Sequence, residues 1–340
     1  MHIPDGYLGP QTYGVFYAIM TPIWFLASKI LKKTLKARHA PYLALGAAFS
    51  FVIMMFNIPV PGGSTGHAVG GTLIAIILGP WAALMSVSIA LIIQALLFGD
   101  GGITAIAANC FNMAFIMPFT GYYIYRFLSS GADIASSRRT FAAGTAGYIS
   151  LNLSAFFTAV EFGIQPLIAH KPDGTPLYAP YTLDVAVPIM AFGHFVFFGF
   201  IEAIVTGLVV AYIVRTEPSM LELSSLTPGF VKGRVQKGLK WLWIGIGVLI
   251  LLTPLGLIAS GTAWGEWSSE ELLALLGYVP EGLKDLEGLW PSFFTDYNFP
   301  GWDNPFMAAA GYIFSALIGV SLIIAIAFLI SRFLPAEGRS

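Results

Sequence analysis

The chain has 340 residues, of which 56% are hydrophobic and 10% are charged. Soluble globular proteins carry about 25% charged residues, so the composition excludes an ordinary soluble protein. Seventeen basic and eighteen acidic side chains give a net charge of −1, which excludes the basic field that nucleic-acid binding needs. The single cysteine, Cys110, excludes an intrachain disulfide framework, a cysteine zinc site and an iron–sulfur cluster.

Long apolar runs predict an all-α integral membrane protein, because a helix needs about 20 apolar residues to cross the hydrocarbon core. The runs cover residues 11–31, 41–56, 68–98, 103–127, 140–165, 186–214, 239–260 and 306–333. Gly79 and Pro80 interrupt the third run, and proline is favourable at a helix start but costly inside a helix. This run therefore predicts two helices, the first one short, and gives nine membrane segments in all.

Basic residues predict the orientation in the plasma membrane, because cytoplasmic loops collect lysine and arginine. The cluster between Lys29 and Arg38 places the first connection inside and the N-terminus outside. With 68–98 as a hairpin, fifteen of the seventeen basic residues fall inside, as does the C-terminus. The segments predicted outside are the N-terminal residues, 57–67, 99–102, 166–185 and 261–305.

The polar stretch 216–238 predicts a cytoplasmic linker. It separates a membrane domain of about seven helices, residues 1–215, from a C-terminal part, residues 239–340, with two further membrane helices and an acidic outer loop. The N-terminus lacks the basic start and the small-residue cleavage site of a signal peptide, so we expect it to be retained.

The opening residues contain a candidate metal chelate. A histidine at position 2 offers three nitrogens in one plane, namely the Met1 amine, the His2 backbone amide once deprotonated, and the His2 imidazole Nδ1. Planar nitrogen coordination suits Ni(II) or Cu(II), with Co(II) bound more weakly. The alternative is an exposed terminal histidine without function, although Pro4 and Asp5 favour a defined turn over a mobile tail.

A second histidine is predicted on the same outer face. His67 ends a turn-rich connection, residues 57–67, and its imidazole would complete a square of four nitrogens. The alternative is a helix-capping or core histidine; a phosphate-binding loop is excluded because neither glycine-rich phosphate motif is present. Side chains that would orient the rings or line the path beneath are Asn57, Ser64, Thr65, Gln94 and Asn109, although the last two could instead join helices by hydrogen bonds.

His194 and Glu202, in the run 186–214, form a competing candidate for a proton or cation relay. Eight residues apart, they lie about 80° apart around a helix and do not obviously converge. His170 lies in a polar loop and is expected to be solvated. Motifs of intramembrane hydrolases are missing from the sequence, so we expect no enzymatic activity and no catalytic cofactor.

Three motifs together resemble the CbiM/NikM family, the substrate-binding membrane subunits of cobalt and nickel energy-coupling-factor transporters. They are Met1-His-Ile-Pro-Asp-Gly-Tyr7, residues 57–71 (NIPVPGGSTGHAVGG) and residues 94–112 (QALLFGDGGITAIAANCFN), within a resemblance that covers about 1–215. The resemblance implies that Met1, His2 and His67 hold Co²⁺ or Ni²⁺ as the transported substrate. It also implies an ABC-type complex with two cytoplasmic ATPase subunits and a transmembrane coupling subunit.

The C-terminal part resembles the small accessory subunit of these transporters, the CbiN or PDGLE type, which implies help with metal loading from outside. Its segment Pro280-Glu281-Gly282-Leu283-Lys284 departs from the usual Pro-Asp-Gly-Leu-Glu at two positions. Acidic residues of the outer loop would attract a divalent cation or simply keep the loop solvated. They are Glu266, Glu270, Glu271, Glu281, Asp285, Glu287, Asp296 and Asp303.

We therefore expect a metal-capturing subunit that relies on partners for ATP hydrolysis, since the sequence contains no Walker A motif. Metal affinity is expected to fall below about pH 6, near the ordinary histidine pKa. The alternatives are a secondary transporter or channel that uses His194 and Glu202, and a structural or receptor-like membrane protein without transport. The sequence does not decide between cobalt and nickel as the bound metal.

Overall fold

The structure is a computed structural model that describes residues 1–34, 39–61, 63–225, 235–259 and 261–332. Part of the predicted linker lies outside these ranges. So do some of the basic residues that define the predicted orientation, namely Lys36, Arg38, Lys232, Arg234 and Arg339.

The first part of the chain forms four helices and a small hairpin. The helices are α1 (Pro10–Thr34), α2 (Ala40–Met54), α3 (Gly71–Leu78) and α4 (Pro80–Ile93), and α4 continues as a π-helical turn over Gln94–Phe98. Between α2 and α3, the strands β1 (Ile58–Pro59) and β2 (Thr65–Gly66) pair antiparallel, with Ile58 opposite Gly66. His67 follows this hairpin directly.

The predicted break within residues 68–98 is confirmed. Gly79 has φ 85° and ψ 159°, a conformation outside the helical region, and it separates α3 from α4. Pro80 then occupies the first turn of α4, where its missing N–H costs nothing. As a result, α3 returns to pack against α4.

The middle of the chain forms the core of the bundle. Its helices are α5 (Ile106–Asn109), α6 (Met117–Leu128), α7 (Ser137–Gly163), α8 (Gln165–Ile168), α9 (Leu183–Gly193) and α10 (Gly199–Thr216). Two π-helical turns, Cys110–Ile116 and His194–Phe198, join α5 to α6 and α9 to α10. Helix α7 packs against α6, α9 and α10, and a 3₁₀ turn over Pro218–Ser225 follows α10.

The C-terminal part packs on the same bundle. It contains α11 (Val235–Leu252), α12 (Ser269–Leu276), α13 (Glu281–Leu286) and α14 (Pro305–Ser331), with 3₁₀ turns at Thr253–Ile258 and Thr295–Tyr297. Helices α11 and α14 both contact α2, so this part extends the core of the first part. The acidic loop between them carries the two short helices α12 and α13.

The expected all-α membrane architecture is confirmed. Within the described ranges, six helices are long and apolar enough to cross a membrane: Pro10–Thr34, Pro80–Phe98, Ser137–Ile168, Leu183–Thr216, Leu239–Ile258 and Pro305–Ser331. The predicted number of nine membrane segments is not confirmed. Helix α2 has 15 residues and α3 has 8, fewer than the roughly 20 that a full crossing needs, and the predicted segment 103–127, divided between α5, a π-helical turn and α6, is not among the six.

All five segments predicted for the outer face meet at one end of the bundle. The N-terminal residues contact the turn after α4, the loop before α9 and the acidic loop, through hydrogen bonds such as Gly102 N–H to the Ile3 carbonyl (2.9 Å). The hairpin before α3 joins them through Ser64, whose Oγ accepts a hydrogen bond from Trp264 N–H at 2.9 Å. This end of the molecule therefore holds the candidate site.

Candidate metal site

The N-terminal segment is buried in a cleft of the bundle. His2 is 2% exposed and Ile3 is fully buried. The side chain of Asn109 makes two hydrogen bonds to the backbone of Ile3. Its Oδ1 accepts from the Ile3 N–H (2.8 Å), and its Nδ2 donates to the Ile3 carbonyl (3.2 Å). His2 is thus no exposed tail residue, and Asn109 fixes the chain directly after it.

Asp5 fixes the turn that follows. Its carboxylate accepts hydrogen bonds from the N–H groups of Ile103 (3.1 Å) and Thr104 (2.8 Å) and from the Thr104 hydroxyl (2.5 Å). Gly102 lies against the same segment so closely that a Cβ at this position would overlap the backbone of Asp5. The turn after α4 therefore forms a close-fitting seat for the first residues of the chain.

The structure brings the two predicted histidines together. His2 Nδ1 lies 3.3 Å from His67 Nε2, and the ring centroids are 5.0 Å apart. The Met1 ammonium donates to Glu266 Oε1 at 3.0 Å. The chain terminus and both imidazoles thus share one site, although they come from positions 65 residues apart in the sequence.

Hydrogen bonds define which nitrogen of each imidazole ring carries the hydrogen. His67 Nδ1 lies 3.1 Å from the Ala68 carbonyl, which can only accept, so the hydrogen of this ring is on Nδ1 and Nε2 carries a lone pair. His2 Nδ1 lies 3.0 Å from Asp100 Oδ1, which places the His2 hydrogen on Nδ1. His67 Nε2 is then the acceptor in the contact between the two rings.

Burial keeps both imidazoles neutral at physiological pH. Burial, then the charge of the N-terminal ammonium, lowers the pKa of His2 to about 3, and the Gln94 side chain opposes this shift. Burial, then the neighbouring His2 and the ammonium, lowers the pKa of His67 to about 3, against the opposing charge of Asp100. The expected loss of affinity below about pH 6 used the ordinary histidine pKa, whereas these two values lie well below it, so any such loss would come from the amine and the amide.

Two carboxyl groups face the site. Asp100 contacts His2, and Glu266 contacts the N-terminal ammonium. Burial raises the pKa of Asp100, opposed by the charge of His67 and the hydrogen bond of Tyr297. Burial also raises the pKa of Glu266, opposed by the ammonium.

Tyr297 connects the C-terminal part to Asp100. Its hydroxyl donates to Asp100 Oδ2 at 2.5 Å and accepts from Gln94 Nε2 at 2.8 Å. Asp296 and Tyr297 both have positive φ, 54° and 60°, a rare conformation for residues other than glycine. Such strain persists where the surrounding structure over-determines it, often at functional sites.

The predicted supporting residues have different positions. Gln94 and Asn109 lie at the site as described, whereas Ser64 contacts Trp264 of the acidic loop. Among the described residues, no hydrogen bond links the side chain of Asn57 or Thr65 to either histidine of the site.

The competing pair does not form a relay in this structure. Glu202 Oε2 accepts from the backbone N–H groups of Val69 (2.9 Å) and Gly70 (3.1 Å), at the start of α3, and its Oε1 accepts from the Thr206 hydroxyl (3.3 Å). His194 Nδ1 lies 2.8 Å from the Met190 carbonyl. Over the part of the chain that the structure describes, no hydrogen bond or ion pair joins His194 to Glu202. Glu202 instead anchors the backbone that follows His67.

Three residues of the site were not predicted as ligands or supports. Asp100 lies in a glycine-rich turn where aspartate is common, so the local sequence gave little reason to single it out. Glu266 and Tyr297 lie about 200 residues or more after the histidines, and only the aromatic context Trp264-Gly-Glu-Trp267 distinguishes Glu266 from the other acidic residues of its loop. Several of those other residues have partners of their own: Glu271 caps α12, Glu281 pairs with Lys171 at 2.7 Å and Glu287 binds Ser269.

Side chains alone do not complete a metal site here. Within the described residues, no group of three or more His, Cys, Asp or Glu side chains is placed to hold a metal ion. A metal bound between the two imidazoles therefore needs further donors, and the nearest chemistry is that of the chain terminus, its amine and its first amide.

Comparisons with known proteins agree with the sequence motifs. The chain is 46% identical over 340 residues to the fused nickel transport protein NikMN of Rhodobacter capsulatus, covering 96% of this chain and 95% of that protein. It is 36% identical over 181 residues to the cobalt transport protein CbiM of Roseiflexus sp., covering 53% of this chain and 69% of that protein. A solved structure of a truncated transition metal transporter is 52% identical, with a TM-score of 0.59, and covers 63% of this chain and 98% of that chain.

Two family models divide the chain between them. Residues 2–220 match the model described as the cobalt uptake substrate-specific transmembrane region, CbiM, and residues 239–336 match the PDGLE domain. The predicted resemblance to the CbiM/NikM family with a fused accessory part is thereby confirmed. The chain belongs to the CbiM family of cobalt-uptake transmembrane proteins and carries a PDGLE domain behind the family region.

Proposed function

We propose that this chain captures Ni²⁺ or Co²⁺ at the outer face of the plasma membrane, as the substrate-binding subunit of an energy-coupling-factor transporter. The ligands are the Met1 amine, the His2 amide and imidazole Nδ1, and the His67 imidazole Nε2. The observation that carries the proposal is the meeting of the chain terminus, His2 and His67 at one site, where His2 is buried, His67 is half-buried and the two imidazole nitrogens lie 3.3 Å apart.

This distance fits neighbouring corners of a square of nitrogens. Nitrogens about 2.0 Å from one ion and at right angles to each other lie roughly 2.8 Å apart. In the planar chelate, His67 Nε2 is adjacent to His2 Nδ1, so the two rings need to approach by only about 0.5 Å from their 3.3 Å separation to share an ion.

Chelation also needs the hydrogen of His2 to leave Nδ1. A ring with its hydrogen on Nε2 frees Nδ1 for the metal and requires an acceptor beside Nε2. In the metal-free protein, His2 Nε2 and Gln94 Oε1 are both buried, and neither has a hydrogen-bond partner among the described residues. Gln94 raises the pKa of His2, as an acceptor near the ring would, so we assign the new N–H to Gln94 Oε1.

The surrounding charges suit a divalent cation. Ion binding replaces the single positive charge of the ammonium by two, while the deprotonated amide supplies one negative charge. Asp100 and Glu266 add carboxyl groups at the same site, and a buried cation is tolerated only where opposite charge and hydrogen bonds compensate it.

The names of the relatives support transport as the physiological role. The fused relative from R. capsulatus is named for nickel transport, and the relative from Roseiflexus sp. for cobalt transport. We propose that residues 1–215 bind the ion, that 216–238 form a cytoplasmic linker, and that 239–340 close the site from outside. Two cytoplasmic ATPase subunits and a transmembrane coupling subunit supply the energy, with the N-terminus outside and the C-terminus inside.

The test is metal titration of one protein with its terminus blocked and then exposed. A chain with a protease-removable N-terminal extension is titrated calorimetrically with Ni²⁺ and Co²⁺ before and after cleavage that leaves Met1 first, as intact mass verifies. We expect one ion per cleaved chain and an affinity at least about 100-fold lower before cleavage, because ligand loss exceeds the 10- to 100-fold typical of outer-shell changes.

The matched variants are His67→Ala, which removes a ligand, and His170→Ala, which changes an exposed histidine. His67→Ala should reduce affinity as strongly as the extension, and His170→Ala should leave it unchanged. Equal affinity in the extended and cleaved chains would refute the chelate. Uptake of the ion by the chain alone in liposomes, without ATP or partners, would refute the subunit assignment.

A further inference from the structure

A cavity of about 90 Å³ lies beside the proposed chelate. Its lining includes Met1, His67 and His194, and also Pro61 and Phe192, which are exposed. A volume of this size accommodates several water molecules, so it has room for a partly hydrated ion. The cavity therefore connects the surface of the molecule with the buried ligands.

The ring of His194 is held as a metal ligand would be. Its Nδ1 lies 2.8 Å from the Met190 carbonyl, which only accepts, so the hydrogen is on Nδ1 and Nε2 carries the lone pair. Histidines that bind metal commonly fix their tautomer by donating the other ring N–H to a carbonyl in this way. Nε2 of His194 has no hydrogen-bond partner among the residues that the structure describes.

The other residues that line the cavity offer few groups that could bind an incoming cation. Most of the lining is apolar, including Ile189, Phe197 and Phe198. Of its two hydroxyl residues, Ser64 already accepts from Trp264, and Thr65 offers a neutral oxygen, a weaker ligand for Ni²⁺ than imidazole. A divalent ion that loses water in such surroundings pays a large desolvation cost unless a ligand replaces the water. The π-helical turn that begins at His194 adds a second sign, because such turns are frequent at functional sites.

We propose that His194 is a transient ligand for the divalent metal ion on its way from the outer surface to Met1, His2 and His67. This inference rests on the proposed function. The ion exchanges water for His194 Nε2 inside the cavity and then passes to the chelate, so His194 determines the rate of capture and is absent from the final coordination square.

The test measures capture rate and affinity separately, by stopped-flow mixing of Ni²⁺ with the full chain bearing a native N-terminus. His194→Gln replaces the imidazole by a polar side chain, and His194→Leu replaces it by an apolar one. The test needs only one of these two variants to fold. His194→Cys restores a metal ligand, and His170→Gln is the matched control at an exposed histidine. Size-exclusion profiles and thermal unfolding verify the fold of each variant.

We expect association at least about tenfold slower in the Gln and Leu variants, with an equilibrium affinity within about twofold of the parent, because a transient site changes rates without changing end states. The Cys variant should recover the rate. Unchanged association in the Gln and Leu variants would overturn the inference. A second result would also overturn it: affinity and association rate fall by the same factor in the Gln and Leu variants, and the Cys variant restores neither. That pattern indicates a structural role for His194.

The two hypotheses fail in different ways. A parent chain that binds no Ni²⁺ contradicts the chelate itself. A parent chain that binds Ni²⁺ at the same rate as its His194 variants contradicts only the transient ligand.

Discussion

Replacing Gly102 with alanine should displace the N-terminal segment from the turn after α4 while leaving the chemical identity of every proposed ligand unchanged. A Cβ at Gly102 would lie 2.6 Å from both Asp5 Oδ1 and the Pro4 carbonyl carbon, and closer still to the Asp5 amide nitrogen. Atoms at 2.6 Å must retreat to about the 3.4 Å of ordinary contact, and the Asp5 amide nitrogen must retreat further, so the N-terminal segment moves by at least about 0.8 Å. Pro4 is only two residues from His2.

Such a movement exceeds what a metal site tolerates. Functional constellations must hold their geometry to about 0.5 Å, and metal–ligand distances to about 0.2 Å. We therefore expect Gly102→Ala to weaken Ni²⁺ binding at least about 100-fold and to reduce the free energy of unfolding by about 1–3 kcal/mol, the usual cost of overpacking. Calorimetric titration gives the first quantity, and thermal unfolding verifies that the protein is folded.

Gly14→Ala is the matched control, since a Cβ there meets no atom within 4 Å. It should leave affinity unchanged and should not lower stability, because alanine is favoured over glycine within a helix. A folded Gly102→Ala protein with full affinity would show that the position of the N-terminus does not govern metal binding, and the reasoning from the seat of the terminus would then be wrong.

Three further predictions follow from other contacts of the site. Glu202→Leu leaves the two backbone N–H groups at the start of α3 without an acceptor, which costs about 1–3 kcal/mol for each group. Calorimetry should therefore show weaker metal binding, and thermal unfolding should show a lower midpoint. Unchanged values in both measurements would contradict the anchoring role of Glu202. Tyr297→Phe removes the hydrogen bond to Asp100 and should lower affinity about 10-fold, as for other outer-shell partners; parental affinity would mean that the C-terminal part does not tune the site. Because the lowered pKa values keep His2 and His67 neutral down to about pH 4, protons released on binding come from the ammonium and the amide. Affinity should therefore fall smoothly as the pH falls from 7 to 5, with about two protons released per ion in calorimetry with buffers of different ionisation enthalpy, whereas three or four protons would indicate charged imidazoles.

Rules that depend only on neighbouring residues or on the distribution of charge along the chain predicted several features of this fold correctly. The glycine–proline pair at 79 and 80 divided one apolar run into two helices because it acts on the backbone at that point. The distribution of basic residues placed the N-terminus and the loop before His67 on one face, and the structure brings both to the same end of the bundle.

Other features lay beyond local rules. Membrane helices are apolar on most sides, so hydrophobicity alone does not show which segments fall short of a full crossing, as α2 and α3 do. The contact of Tyr297 with Asp100 joins residues 197 positions apart, and no spacing in the sequence encodes it. The role of Glu202 depends on which backbone N–H groups approach it, and this became visible only with α3 and α10 in place.

The covalent union of the PDGLE part with the metal-binding part has a consequence for stoichiometry. Glu266, Trp264 and Tyr297 all reach the candidate site from the same polypeptide as the histidines. A separate accessory protein would occupy its place in proportion to its abundance in the bilayer, whereas a tethered one experiences an effective concentration in the millimolar range. With the C-terminal part closing the site as proposed above, closure would be insensitive to dilution and to expression level, since each chain carries this part in a fixed one-to-one ratio.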